Sequence, residues 1–153
     1  MLQWAFAALH LLAFGIGFGA IIGRQRALKG PLDDAGLKHV FAADAGWGIA
    51  AVLWIVTGLA RLFMGTEKPT DYYWGNHLFW TKIALFVLIV ALEIVPMMTL
   101  ARWRRQRARK EAIDVKAAPL LARISHIQMW LSVLMVLAAS AMARGFGLAS
   151  RSP

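Results

Sequence analysis

The chain has 153 residues, of which 59% are hydrophobic and only 16% charged, and its mean hydropathy is +0.58. A soluble domain carries about 25% charge, so composition points to one small integral membrane domain. The net charge is +9, from 17 Lys and Arg against 8 Asp and Glu, and cysteine is absent. Disulfides, thiolate metal ligands, iron–sulfur clusters and a Cys nucleophile are thereby excluded.

Four apolar blocks, at 2–23, 37–63, 77–101 and 119–145, each supply the roughly 20 helical residues that cross a hydrocarbon core. The expected fold is all-α, a single integral membrane four-helix bundle. Runs this long exclude a β-barrel, whose strands alternate over about ten residues. The first block opens Met1-Leu2-Gln3-Trp4 without a basic n-region, so it reads as a retained helix and not a signal peptide. It also carries "GIGFGAIIG", with Gly15, Gly19 and Gly23 every four residues, a face that lets helices approach closely. By rotation Gly19 lies opposite His10, while Gly17 and Arg24 lie nearly beneath it. With His10 turned inward, the glycine face points out and favours a homodimer; packing on the second or fourth span is the alternative.

"GPLDDAGLKHV" predicts a turn at Gly30-Pro31 and a second helix beginning at Asp33 or Asp34. "GTEKPTDYYWGN" predicts the next loop, with Pro69 and Gly75 as breakers and Asn76 as a helix cap. The third block holds two charges, Lys82 and Glu93, each costing about 2.5–3.5 kcal/mol at a bilayer centre. Pro96 follows, predicting a kink that frees the Leu92 carbonyl beside Glu93. "RWRRQRARK" then extends the helix beyond the apolar run, where its cations rest near anionic headgroups.

The basic residues orient the bundle. Arg24, Arg26, Lys29 and Lys38 flank the first connection, and Arg102, Arg104, Arg105, Arg107, Arg109, Lys110, Lys116 and Arg123 crowd the third. Arg61, Lys68, Arg144 and Arg151 fall on the other side. The positive-inside rule puts both termini outside and the basic loops in the cytoplasm, as expected of a multi-pass protein of a bacterial inner (plasma) membrane. Topology accounts for the charge, so the partner is the lipid bilayer and not nucleic acid. Trp4, Tyr72, Tyr73, Trp74 and Trp103 fall near the interfaces and read as belt residues.

Counting 1.5 Å per residue sorts the polar groups by depth. His10 lies about 12 Å and Lys82 about 8 Å below the outer end. Asp44 lies about 10 Å from the inner end, with Glu93 and His126 at a similar height. Lys82 and Glu93 are eleven residues apart, three turns plus about 20°, so one face of the third helix presents both, about 16 Å apart. That face can turn away from lipid. Burial disfavours charge, so Lys82 could be neutral or snorkel outward and Glu93 could be protonated. Structural alternatives are a carbonyl partner for His10, solvation of His39 and His77 at helix ends, and an Asp44 contact with backbone, Arg24 or Arg26.

Leu9-His10, "ADAGWG" at 43–48, "GLARLF" at 58–63 and "LFWTK" at 78–82 together resemble a family of bacterial four-helix membrane proteins of unknown function, over nearly the whole chain. More distantly the chain resembles copper-resistance D membrane proteins and HemJ-type protoporphyrinogen oxidases. The latter likeness implies haem b, with His10 and Lys82 in the places of functional residues on the first and third helices.

Three functions are open at this stage. A haem-b-linked redox or electron-transfer protein would bind its cofactor with His10, Lys82 and Arg61. A proton- or cation-linked small transporter or channel would use Asp44, Glu93 and Lys82 as the acting groups, with His10 and His126 as possible metal ligands. A non-catalytic membrane assembly module would use its core polar groups only for assembly.

Overall fold

The computed structural model describes residues 2–63 and 70–147. Four long helices dominate it: α1 (Leu2–Lys29), α2 (Asp34–Phe63), α4 (His77–Ala108) and α5 (Ala118–Ala143). A five-residue helix α3 (Thr70–Trp74) precedes α4, and a 3-10 turn, Val115–Ala117, precedes α5. All four long helices have the length and apolarity to span a membrane. The described residues contain no strand.

Helix ends follow backbone chemistry more than hydropathy. α1 and α4 run past the apolar blocks to Lys29 and Ala108 because nothing in "RQRALK" or "RWRRQRA" interrupts the hydrogen-bond ladder. α1 stops just before Gly30-Pro31, where proline removes a donor. At α2 the Asp33 carboxylate accepts from the Gly36 amide at 2.8 Å, an N-cap bond. Gly36 is obligatory there, since a Cβ would stand 1.9 Å from the Pro31 carbonyl oxygen. Asn76 caps α4, accepting from the Leu78 amide at 2.9 Å. Its amide also donates to the Phe146 carbonyl at 2.9 Å, tying the turn after α5 onto the start of α4. Pro69 and Lys68, and Arg151 near the C-terminus, lie outside the described residues.

α1 packs along both α2 and α5, and α4 packs on α5. The backbones of α2 and α4 stay apart, and a seam bridged by side chains such as Trp54 and Phe86 runs between them. At the end that carries the two basic connections, Leu28, Val40, Leu100, Trp103 and Leu121 form one cluster. Ile21, Trp47, Ile89 and Met135 form a middle cluster, and Tyr73, Phe79 and Met142 one near the chain ends. Trp103 and Tyr73 thus differ from the expected belt. Trp103 is fully buried at the basic end, because α4 continues past it and folds its indole inward onto α1, α2 and α5. Trp4 and Trp74 do remain exposed.

Large apolar side chains such as Ile49, Val52, Val87 and Leu137 cover the outside, a surface that suits hydrocarbon and not water. Glycine placement divides α1. A Cβ on Gly17 would come 3.1 Å from the Ala50 Cβ and on Gly23 3.7 Å from the Ala43 Cβ, so these two faces meet α2. Gly15 and Gly19 have open space before them.

Candidate functional site

Polar side chains gather at two levels. The larger group centres on Arg24, whose side chain is wholly inaccessible. A guanidinium has five N–H donors and no acceptor, and each must be met if water cannot reach it. All five are met. Nε donates to the Ser125 hydroxyl at 3.1 Å. One terminal nitrogen donates to Asp44 at 2.9 Å and Glu93 at 2.6 Å, and the other to Glu93 at 2.7 Å and Gln128 at 2.9 Å. The Glu93 contact is a two-pronged fork, the strongest pairing open to arginine.

The acceptors are themselves held. Gln128 donates to Glu93 at 2.8 Å and to the Ile89 carbonyl at 3.1 Å, which fixes its amide orientation. Ser125 donates to the Leu121 carbonyl at 2.9 Å and is left able to accept from Arg24. The second Asp44 oxygen accepts from Arg104 at 2.7 Å. Two guanidinia therefore face two carboxylates and the group is charge-neutral. Glu93 receives three N–H donors, two from Arg24 and one from Gln128.

A second tier braces this group from the basic end. Arg104 also donates to the Phe41 carbonyl at 3.0 Å and stacks over the Phe41 ring at 5.1 Å. Arg107 lies over the same ring and pairs with Asp34, which Lys38 also reaches at 3.0 Å. These arginines join α4 to α2 at the basic end.

The other level lies toward the chain ends. His10 is buried, and its Nδ1 stands 2.8 Å from the Thr57 hydroxyl. That hydroxyl has one proton and directs it at the Leu53 carbonyl, 2.7 Å away. With its proton on that carbonyl the hydroxyl accepts from His10, an arrangement that suits the tautomer with the ring proton on Nδ1. The ring sits against Gly58, where a Cβ would come 3.4 Å from Cε1, and its centroid is 5.6 Å from that of Trp54. His10, Arg61, Lys82 and Ser140 border one cavity of about 480 Å³, walled by Phe14, Trp54 and Met135. His10 and Lys82 also border a smaller cavity in the α2–α4 seam. Further along that seam an apolar cleft of about 260 Å³ has Phe14, Trp47 and Phe86 as walls and reaches Glu93.

The sequence-derived candidates therefore separate. His10, Lys82 and Arg61 meet around one cavity. Asp44 and Glu93 meet through Arg24, not through Lys82. His126 joins neither level: it is exposed on the bundle's outer surface, accepting from the Trp130 indole at 3.3 Å, apart from His10. No cluster of three or more His, Asp or Glu that could hold a metal occurs among the described residues. His39 and His77 are exposed, as expected of helix ends.

Sequence reasoning offered Arg24 as a partner of Asp44, which the structure shows, but did not join it to Glu93 and passed over Ser125 and Gln128. The signal was present in spacing. Arg24 follows Gly17 by seven residues and His10 by fourteen, so one stripe of α1 carries all three. Ser125, Gln128 and Ser132 recur at intervals of three and four, a polar stripe on an otherwise apolar span.

A four-span bundle whose interior holds a neutral ionic cluster at one level and a cationic cavity at the other is a small polytopic membrane protein organised around buried polar side chains. Residues 2–147 match the family model described as Predicted membrane protein (DUF2214), and the chain belongs to that family. No curated protein and no solved structure matches the chain.

Lysine cannot reproduce a planar five-donor fork. Arg24→Lys is expected to lower stability by about 3–5 kcal/mol, the cost of breaking a buried pair. Ser125→Ala, which removes one neutral acceptor, is expected to cost about 1–3 kcal/mol. Unfolding in detergent checks the order; equal, small losses would contradict it.

Proposed function

We propose that this chain is a redox protein of a bacterial inner membrane, its termini outside, that binds haem b at the level of His10. In this reading His10 would hold the haem iron, and Arg61 and Lys82 would hold its propionates. Haem, when bound, supplies one-electron transfer at its iron. The carrying observation is a buried histidine, held at Nδ1 by Thr57, that borders one cavity together with Arg61 and Lys82. Metal-binding histidines commonly have their other nitrogen fixed in this way. Four-helix bundles build cofactor sites from such inward-facing side chains. Phe14, Trp54 and Met135 supply apolar walls for a flat macrocycle.

The catalytic roles expected of Asp44 and Glu93 are replaced in this proposal by positioning: both hold Arg24 and so hold the spans. A proton or cation path is the weaker reading, because Asp44 and Glu93 already meet guanidinium donors in a neutral group. Absorption spectroscopy of protein purified with added haem tests the proposal. A Soret band that persists in Thr57→Val with an altered reduction potential, and is lost in His10→Ala, is the expected result. Colourless wild-type protein after haem supplementation refutes it.

We propose further that two copies pair through the open face of Gly15 and Gly19, where backbones can approach closely. Gly23, close to Ala43 in α2, is left out of that contact. Cross-linking in native membranes is expected to give a dimer that Gly19→Leu abolishes while leaving the fold intact; a dimer untouched by that change, or no dimer at all, counts against the pairing.

A further inference from the structure

The arginines at the end of α4 divide into two stripes. Arg104 and Arg107 turn inward and are consumed by Asp44, Asp34 and the Phe41 ring. Arg102, Arg105 and Arg109 turn outward and are exposed, at intervals of three and four residues on the opposite side. Arg102 and Arg105 have no ion pair among the described residues, and Arg109 reaches only Glu111, at 3.9 Å. These three guanidinia border a concave site of about 330 Å³ with Gln106 and Glu111. The local backbone builds that concavity: Lys110 adopts φ +56, and the Glu111 amide returns to the Gln106 carbonyl at 3.0 Å, which ends the helix and closes the cup.

Depth indicates what meets the cup. Arg102 and Arg105 lie 25 and 28 residues after His77, about 38 and 42 Å along the helix. The hydrocarbon core is about 30 Å thick and the bilayer with headgroups about 40–45 Å. The cup therefore opens at the headgroup layer, where phosphates are the available anions.

We propose that Arg102, Arg105 and Arg109 form a binding site for the phosphate of an anionic phospholipid, distinct from the arginines that hold the bundle together. Arginine suits phosphate because its fork makes paired, charge-assisted hydrogen bonds. The site goes beyond the redox reading and does not depend on it. It also differs from diffuse attraction of a basic surface, since it needs these three side chains and not total charge.

Native mass spectrometry of the full chain, released from micelles containing phosphatidylglycerol and phosphatidylcholine, tests it. The wild-type protein is expected to retain one phosphatidylglycerol at least about tenfold in preference to phosphatidylcholine, as cations worth about 1 kcal/mol each imply. Arg102→Gln/Arg105→Gln/Arg109→Gln is expected to lose that preference while unfolding at the wild-type temperature, because none of the three touches the Arg24 group. Lys29→Gln/Lys116→Gln removes exposed charge outside the stripe and is expected to keep it. Equal loss in both variants would mean general charge attraction and overturn the site. Full retention in the triple variant, or displacement of the lipid by millimolar inorganic phosphate, would overturn it too.

Discussion

A guanidinium shut away from water and lipid has to find five acceptors in the protein, and that requirement at Arg24 fixes much of this molecule. The acceptors come from three other helices: Asp44 on α2, Glu93 on α4, Ser125 and Gln128 on α5. Helix packing alone would not set this arrangement, because the α2 and α4 backbones stay apart and meet through side chains such as Trp54 and Phe86. In hydrocarbon the hydrophobic effect does not drive spans together, so close packing and polar contacts decide register. Arg24 supplies a directional contact to each neighbour at once.

Neutrality makes the cluster tolerable. Isolated, Arg24 or Glu93 would each face a large desolvation cost; joined as a fork, and balanced by Asp44 with Arg104, they present no net charge to the bilayer. The opposite level is built differently. There a histidine held by Thr57 borders open space with Arg61 and Lys82, and the order of that space depends on spans that the ionic cluster aligns. Structural rigidity and chemical opportunity are thus held at separate depths of one bundle.

Span number, helix type and the inward face of α4 were legible because hydropathy and rotation act locally. Asn76 and Asp33 were legible as caps for the same reason. Arg24 was harder to read, since a basic residue near a helix end satisfies the positive-inside pattern whether it is solvated or buried. Only partners on three other helices distinguish the two, and those partners are non-local. His126 failed to join the inner group because depth, which counting gives, does not fix azimuth. Trp103 looked interfacial by depth as well, yet α4 carries its helix onward and turns the ring into the core. Ser125 and Gln128 had a spacing signal that went unused because neither titrates.

The pairing of Arg24 with Glu93 is open to direct measurement by a double-mutant cycle in which Arg24→Met and Glu93→Leu are made singly and together, with unfolding followed in lipid or mild detergent. Each single change strands a buried charge and is predicted to cost about 3–5 kcal/mol, whereas the double change removes both charges, leaves Asp44 to Arg104, and is predicted to recover most of that loss. Losses that simply add in the double variant would contradict the account, since they would mean that the two groups do not meet.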